Sequence, residues 1–177
     1  SLMIARQIGE VKLKNFLENL SLLKKINFEL EEVGQPLEFD WEKCKLETVS
    51  FGHGVTTTPL QAAAAYASIT NGGYLVKPTL QFKKKFNYEK KISIVSKNTS
   101  DQINKILRKV VTDKEGTASF ANVFGYDVGG KTGTSKSYKD NNKTINTFIS
   151  IFPSNNPKYV LLTILDNPKG APHLTYN

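Results

Sequence analysis

The sequence predicts an α+β fold in which helices cover an antiparallel sheet. Helical patterns dominate the chain up to residue 112, and three strand patterns follow one another from residue 127 onward. The links between these strands are short enough for antiparallel hairpins, whereas parallel strands need longer crossovers. With 177 residues, of which 39% are hydrophobic, the chain has the size of one domain, or of one large piece of a domain, with a real core.

The N-terminal part is predicted to contain two short helices and an irregular connection. Residues 2–8 and 10–20 have helical patterns, and Gly9 separates them. Apolar residues of the second helix recur at helical spacing, so this face is expected to pack on the core. Between residues 24 and 47 the periodicity fades and charged residues are dense, so no regular element is expected there.

The clearest local signal is the stretch TTTPLQAAAAYASITNGGY. Thr58 suits the N-cap, Pro59 the first helical position and Gln61 the third, which together form a capping box. Alanines continue the helix to Thr70, and the Asn-Gly-Gly that follows ends it. Because alanine allows a neighbouring element to approach closely, this helix is expected to be buried in the core.

The remaining elements are strands and one amphipathic helix. Residues 74–86 are predicted to form strands around Pro78, and residues 101–112 to form the helix. The helix residues expected to point inward are Ile103, Ile106, Leu107, Val110 and Val111. Three more strands are predicted over Asp127 to Ser135, Thr144 to Phe152 and Tyr159 to Leu165. The last of them is apolar on both faces, which predicts a central strand.

Composition excludes several classes of function. The net charge is +8, yet Arg6 and Arg108 are the only arginines among 24 basic residues. Since base and phosphate recognition relies on arginine forks, we predict a solvated lysine-rich surface and no nucleic-acid partner. The single cysteine, Cys44, excludes an internal disulfide and a cysteine-cluster metal site. Neither His53 nor His173 has acidic residues at ligand spacing, so neither a metal nor a cofactor is expected.

The stretch YDVGGKTGTSKS, residues 126–137, is poor strand material but suits a binding site. Glycine weakens a strand, yet it lets another backbone come close, and Gly133 offers such a bare position. Lys131 supplies an ammonium, and Thr132 and Thr134 supply hydroxyls that can hold a carboxylate. The Thr134 N–H can point at a developing oxyanion. These residues predict a recognition strand for an extended peptide that ends in a carboxylate.

Lys-Thr-Gly is also the third motif of the serine enzymes that react with penicillin. Its context is similar to a class B penicillin-binding protein transpeptidase domain, of the cell-division (septal) type. The matching segments keep that family's order and cover about three quarters of the chain: SFGHGVTTTPLQAAAAYASITNGGYLVKPTL, LRKVVTDKEGTA, YDVGGKTGTS and FISIFPSNNPKYVLLTILDNP. The resemblance implies a partial penicillin-binding/β-lactamase-like fold and a domain fragment over residues 1–177 that lacks both ends.

The resemblance implies a D,D-transpeptidase that cross-links peptidoglycan stem peptides through a serine acyl-enzyme. In this assignment Lys131 and Thr134 are catalytic, because they organise the proton network and the oxyanion hole. Thr132, Gly133 and Thr134 hold the substrate, and no cofactor is involved. The implied partners are stem peptides of lipid-linked precursor or nascent glycan, β-lactams, a membrane glycan polymerase and divisome proteins. The catalytic domain would lie in the periplasm, anchored in the inner membrane by an upstream segment.

Two motifs of the family are not found where they belong. The literal S-x-x-K, Ser21 to Lys24, falls where the first helical region ends, and the literal S-x-N begins at Ser154 in a turn-forming hairpin. We therefore expect the nucleophile serine to lie before Ser1, and the chain by itself to be inactive. No initiator methionine and no apolar run of roughly 18 residues occur, so a membrane anchor is expected upstream as well.

Two other functions are compatible with the Lys-Thr-Gly strand. A serine β-lactamase-like hydrolase shares the motif and the sheet, but the GHGVTTTPLQ segment favours a transpeptidase. A non-catalytic penicillin-sensing or wall-binding module would have lost the serine. The sequence upstream of Ser1 distinguishes all three, because S-x-x-K and S-x-N after one membrane span would indicate the transpeptidase.

Overall fold

The computed structural model describes residues 2–37, 45–82, 91–137, 140 and 142–169. The chain divides into two compact units. The first comprises residues 1–68 and 74–94, and the second comprises residues 69–73 and 95–177. The three predicted strands of the C-terminal part all belong to the second unit.

The first unit contains the helices at the start of the chain. α1 covers Leu2–Ile8 and α2 covers Glu10–Asn19, so the two predicted helices are confirmed. Gly9 separates them with a φ of 82°, a left-handed conformation that glycine adopts without strain. α3, Lys45–Val49, begins inside the stretch predicted to be irregular, so the prediction was wrong for its first residues.

α4, Pro59–Thr70, has the predicted bounds and the predicted capping box. Thr58 N–H donates to Gln61 Oε1 at 3.0 Å, and Gln61 N–H donates back to Thr58 Oγ1 at 3.2 Å. Gln61 is completely buried, and its Nε2 donates to the carbonyls of Ser21 at 2.6 Å and Lys24 at 2.7 Å. Burial also raises the pKa of Tyr66 above its ordinary value of 10.0. The prediction of a buried helix is confirmed.

Gln61→Glu is expected to lower the free energy of unfolding by at least about 2 kcal/mol. Glutamate keeps the shape of the side chain but has no N–H to donate, so two carbonyl oxygens would face a carboxylate. Urea unfolding of the variant measures the loss. Gln102→Glu, at an exposed position of the next helix, is the control and should change stability by less than about 0.5 kcal/mol. Equal effects at the two positions would contradict the role of the Gln61 Nε2 group as the donor to the Ser21 and Lys24 carbonyls.

Residues 74–82 do not form the predicted strands. Tyr74 makes an isolated antiparallel bridge with Ser93, and the backbone N–H of Val76 donates to Ser68 Oγ at 2.8 Å. A side chain of α4 thus satisfies a donor that a strand would have paired, and Pro78 has no N–H to give. Residues 83–86 of the same prediction lie outside the described residues.

α5 covers Lys97–Thr112 and begins four residues earlier than predicted, because Ser96 Oγ accepts the N–H of Thr99 at 3.1 Å and caps it. Its buried residues are Ser100, Asn104, Leu107 and Val111. Ile106, predicted to point inward, is 59% exposed, so that prediction was wrong. Polar residues occupy the inner face because the 70–72 turn supplies backbone partners for them: Asn104 Nδ2 donates to the Thr70 carbonyl, and Ser100 Oγ accepts the Gly72 N–H, each at 3.0 Å.

Among its described residues, the second unit has a sheet of three antiparallel strands in the order β1-β2-β3. β1 covers Gly129–Lys136, β2 covers Thr144–Phe152 and β3 covers Tyr159–Asp166. The antiparallel prediction is confirmed, but the predicted central position of β3 is wrong for the described part of the chain, where β3 lies at one side of the sheet. Two consecutive hairpins place β2 in the middle, and apolar residues of β3 such as Leu161 remain exposed. Phe148 of β2 packs with Val111, Ala118 and Ala121 in a hydrophobic cluster.

Candidate active site at the edge of the sheet

β1 presents one backbone edge on which the described chain places no further strand. It pairs with β2 so that Lys131 faces Ile149 and Thr134 faces Asn146. Just beyond the strand, Ser137 N–H donates to the Lys143 carbonyl at 2.9 Å. Bonds to a neighbouring strand alternate along an antiparallel pair. The odd-numbered residues of β1 therefore bond to β2, and the N–H and C=O groups of Thr132 and Thr134 point to the open edge.

The Lys131 ammonium lies at this open edge. Its Nζ donates to the carbonyl of Thr132 at 2.9 Å and lies 3.5 Å from Thr132 Oγ1. The residue is exposed, and within the described ranges no carboxylate forms an ion pair with it. A compact cation thus stands beside the outward backbone groups of Thr132 and Thr134, where a ligand carboxylate can neutralise it.

Thr132 is held by a residue that the sequence prediction missed. Its Oγ1 donates to Thr117 Oγ1 at 3.1 Å. Thr117 follows a tight turn at Gly116, where an added Cβ would lie 2.2 Å from the Val110 carbonyl oxygen. The turn therefore needs glycine, and it brings Thr117 from the end of α5 to β1. The Gly-Thr pair in the stretch DKEGTA was the available sequence signal, but only the packing shows its partner.

The glycines of β1 have different neighbours. A Cβ at Gly130 would lie 2.6 Å from the ring of Phe148 and 2.7 Å from the Ile149 carbonyl oxygen. A Cβ at Gly133 would meet only Thr147 Oγ1, at 2.6 Å, and that hydroxyl donates to the Gly133 carbonyl at 3.3 Å. Gly130 is therefore required by the core, whereas Gly133 is exposed and its nearest neighbour is a movable side chain.

Asp127 anchors the start of β1 from two directions. Its Oδ1 pairs with Arg108 Nε at 2.9 Å, and Arg108 also donates to the Val128 carbonyl at 2.7 Å. From the β2–β3 hairpin, Ser154 N–H donates to the Asp127 carbonyl at 2.6 Å, and Asn155 N–H donates to Asp127 Oδ2 at 3.2 Å. The Ser154-x-Asn156 sequence is thus part of a structural anchor, as its turn-forming context predicts.

The other residues considered from the sequence are not at this edge. Ser21 follows the end of α2 with a φ of 58°, so Ser21 and Lys24 do not share a helical turn. His53 is exposed in a loop, and its backbone N–H donates to the Thr48 carbonyl at 3.0 Å. Cys44 and His173 lie outside the described residues.

The described residues contain neither a grouped set of metal ligands nor a helix of membrane-spanning length and apolarity. Among them, no three His, Cys, Asp or Glu side chains are grouped as metal ligands would be. None of the helices described is both long and apolar enough to span a bilayer.

Comparison with known proteins relates the chain to one family. Residues 1–176 match the family described as the penicillin binding protein transpeptidase domain. The chain is 34% identical to stage V sporulation protein D of Bacillus subtilis, over 95% of this chain and 28% of that protein. It is 32% identical to the probable peptidoglycan D,D-transpeptidase FtsI of Caulobacter vibrioides, over 95% of this chain and 31% of that protein. The chain thus spans about a third of the length of these relatives.

The fold is similar to a solved structure of penicillin binding protein 3 from Mycobacterium tuberculosis in complex with aztreonam. The TM-score is 0.84 at 26% identity, and the likeness covers 96% of this chain and 43% of that chain. A likeness of this extent concerns nearly the whole chain, and is much broader than a single strand motif.

Proposed function

The chain belongs to the penicillin-binding protein transpeptidase family, and from that premise we propose that it is the substrate-holding part of a peptidoglycan D,D-transpeptidase of the cell-division type. The observation that carries this proposal is the open edge of β1. There, outward backbone groups, threonine hydroxyls and an ammonium without an acidic partner in the described ranges lie together. An extended peptide that ends in a carboxylate matches this edge in both shape and charge.

Each residue of the edge has a proposed role. Lys131 attracts the terminal carboxylate and organises the proton network around the nucleophile. Thr134 donates a hydroxyl hydrogen bond to the carboxylate. Thr132 does the same after its proton turns from Thr117 Oγ1 to the ligand, since the Thr117 hydroxyl can donate to Thr132 in its place. Gly133 leaves room for the substrate backbone. The Thr134 N–H, which points away from β2, is one donor of the oxyanion hole. Hydrogen bonds from such groups to a charged ligand are stronger than neutral ones, which suits recognition of a free peptide terminus.

The chemistry we propose is acyl transfer through a serine ester. A serine oxygen attacks the carbonyl carbon between the two terminal D-alanines, the C–N bond breaks, and the serine proton leaves on the released D-alanine. An amine of a neighbouring stem peptide then attacks the ester, which forms the cross-link and returns the serine. Penicillins would acylate the same serine, and the aztreonam complex of the Mycobacterium tuberculosis relative supports β-lactam binding at such a fold.

We propose that the nucleophile is supplied from outside the 177 residues. An attacking serine and its lysine must lie one helical turn apart for the amine to reach the hydroxyl, and Ser21 and Lys24 do not. Residues 1–177 would then be the C-terminal portion of the transpeptidase domain. By the same proposal the full protein is anchored in the inner membrane with this domain in the periplasm, next to a glycan polymerase and divisome proteins.

Thr134→Val tests the proposed role of the strand. In the longer protein that carries the nucleophile, this change keeps the N–H and the shape but removes a hydroxyl that bonds a charged group. The expected loss of about 1.5–3 kcal/mol corresponds to roughly 10- to 150-fold slower acylation by a fluorescent penicillin. The melting temperature should hardly change, because Thr134 is exposed.

Two controls accompany this experiment. Ser135→Ala removes a hydroxyl from the adjacent residue, which points to the opposite face of the strand, and should acylate at the wild-type rate. The 177-residue chain by itself should take no label, and a covalent adduct on Ser21 in its mass spectrum would overturn the assignment of the nucleophile. Wild-type acylation by Thr134→Val would contradict the proposed carboxylate site.

A further inference from the structure

Asn146, in the central strand β2, is a buried polar residue with no evident structural use. It is 1% exposed, and within the described part of the chain neither Oδ1 nor Nδ2 finds a hydrogen-bond partner. Burying an amide without partners costs free energy, and most buried polar atoms in proteins avoid that cost. A core strand would be more stable with an apolar side chain at this position, so the amide calls for another explanation.

The strand register places Asn146 directly beside the proposed site. Its cross-strand partner is Thr134, and the alternation along β1 makes this a non-hydrogen-bonded pair. In such pairs the two side chains project from the same face of the sheet. Their Cβ atoms lie about 4.5–5.5 Å apart, and non-hydrogen-bonded pairs are at the short end of that range. An asparagine amide can span that separation and reach a threonine hydroxyl by a change of side-chain rotamer.

We propose that Asn146 is a positioning residue for Thr134, and that its Nδ2 donates a hydrogen bond to Thr134 Oγ1 when a carboxylate ligand is bound. This inference rests on the proposed function, because it deepens the role given there to Thr134. The hydroxyl has one proton and two lone pairs. When Asn146 Nδ2–H donates to one lone pair of Thr134 Oγ1, the hydroxyl proton of Thr134 points outward, to the carboxylate at the open edge.

The direction of the hydrogen bond follows from the absence of a proton on the ligand carboxylate. A carboxylate only accepts, so Thr134 must donate its single proton to it and can only accept from β2. Asn146 offers the N–H that this arrangement needs, and a chain of two such bonds strengthens both. Asn146 Nδ2 has no other hydrogen-bond partner among the described residues, so it is available for this bond.

Asn146→Leu distinguishes this role from a structural one, since leucine has nearly the same size and no polar atoms. Removing a buried amide without partners should raise the melting temperature by at least about 2 °C. Acylation by benzylpenicillin in the longer protein should nevertheless become roughly 3- to 10-fold slower. Asn146→Ser, which can still donate across the strand pair, should stay within about twofold of the wild-type rate.

Asn104→Leu is the matched control, because Asn104 is also buried but bonds the Thr70 carbonyl and lies on α5. It should lower the melting temperature and leave the acylation rate of the folded protein unchanged. An effect on acylation equal to that of Asn146→Leu would overturn the proposal, because any buried asparagine would then do the same. Failure of Asn146→Ser to acylate faster than Asn146→Leu would also overturn it.

A double variant and a modified ligand separate this inference from its premise. Adding Asn146→Leu to Thr134→Val should cause no further slowing. With the methyl ester of benzylpenicillin, Asn146→Leu should slow acylation less than it does with the free acid, because the ester carbonyl accepts a weaker, uncharged hydrogen bond from Thr134. If Thr134→Val alone acylates normally, the proposed function fails and the inference fails with it. If Thr134→Val is slow but Asn146→Leu acylates at the wild-type rate, only the inference is overturned.

Discussion

Lys131→Ala is expected to slow acylation of the longer protein by a penicillin more than roughly 150-fold, a larger loss than any other single change at this edge. The variant removes the charge that neutralises the ligand carboxylate, and it removes a group from the proton network at the same time. Each charge-assisted hydrogen bond contributes about 1.5–3 kcal/mol, and Lys131 is proposed to make more than one. Acylation rates measured over a range of penicillin concentrations would show whether binding, the chemical step or both are lost.

Stability should not change with this substitution. Lys131 is exposed and contacts the Thr132 carbonyl, so its loss falls among surface changes of less than about 0.5 kcal/mol. Lys136→Ala is the control, because it removes the same charge from an exposed position of the same strand. It should acylate within about twofold of wild type, since general attraction of the anion is screened over distances of about 10 Å. Near-normal acylation by Lys131→Ala would remove the central claim of the proposed function.

Gly130→Ala and Gly133→Ala are expected to have opposite effects, although the two residues are three positions apart on one strand. At Gly130 the new methyl group meets the Phe148 ring and a backbone oxygen, both at less than 3 Å. Phe148 is locked in the hydrophobic cluster with Val111, so the ring has little room to move. Overpacking of this kind costs about 1–3 kcal/mol or more, which lowers the melting temperature by roughly 2–4 °C for each kcal/mol.

At Gly133 the new methyl group displaces only the Thr147 hydroxyl, so the melting temperature should fall little. The acylation rate should fall instead, because the added methyl group lies beside the edge where the substrate backbone is proposed to bind. A larger side chain, Gly133→Val, should increase that loss. Melting temperatures and acylation rates measured on the same samples show whether each glycine is required for stability or for acylation. If stability and acylation fall together at both glycines, the distinction between a core glycine and a site glycine is wrong.

The local sequence determined the elements whose signals are local. Thr58 and Gln61 specify the start of α4 because each satisfies the other's backbone donor, a contact that spans three residues. The three strands near the C-terminus were predicted to within two residues, and short links made them antiparallel. The sequence of the first of these strands also identified Lys131 to Thr134 as the candidate site. A lysine and two threonines among glycines have few structural reasons to occur in a strand.

Only the tertiary structure decided which groups these residues meet. Ile106 faces solvent and Asn104 faces inward because the 70–72 turn offers carbonyl and N–H partners that no helical periodicity reveals. Among the described strands β3 lies at one side of the sheet. Strand order depends on which strands pair, and the apolar sequence of β3 does not determine its pairing partners. The sequence pattern does not distinguish Asn146 from other polar residues in a strand. Its burial opposite Thr134 is a property of the register, which joins residues twelve positions apart, and it was therefore invisible until β1 and β2 were paired.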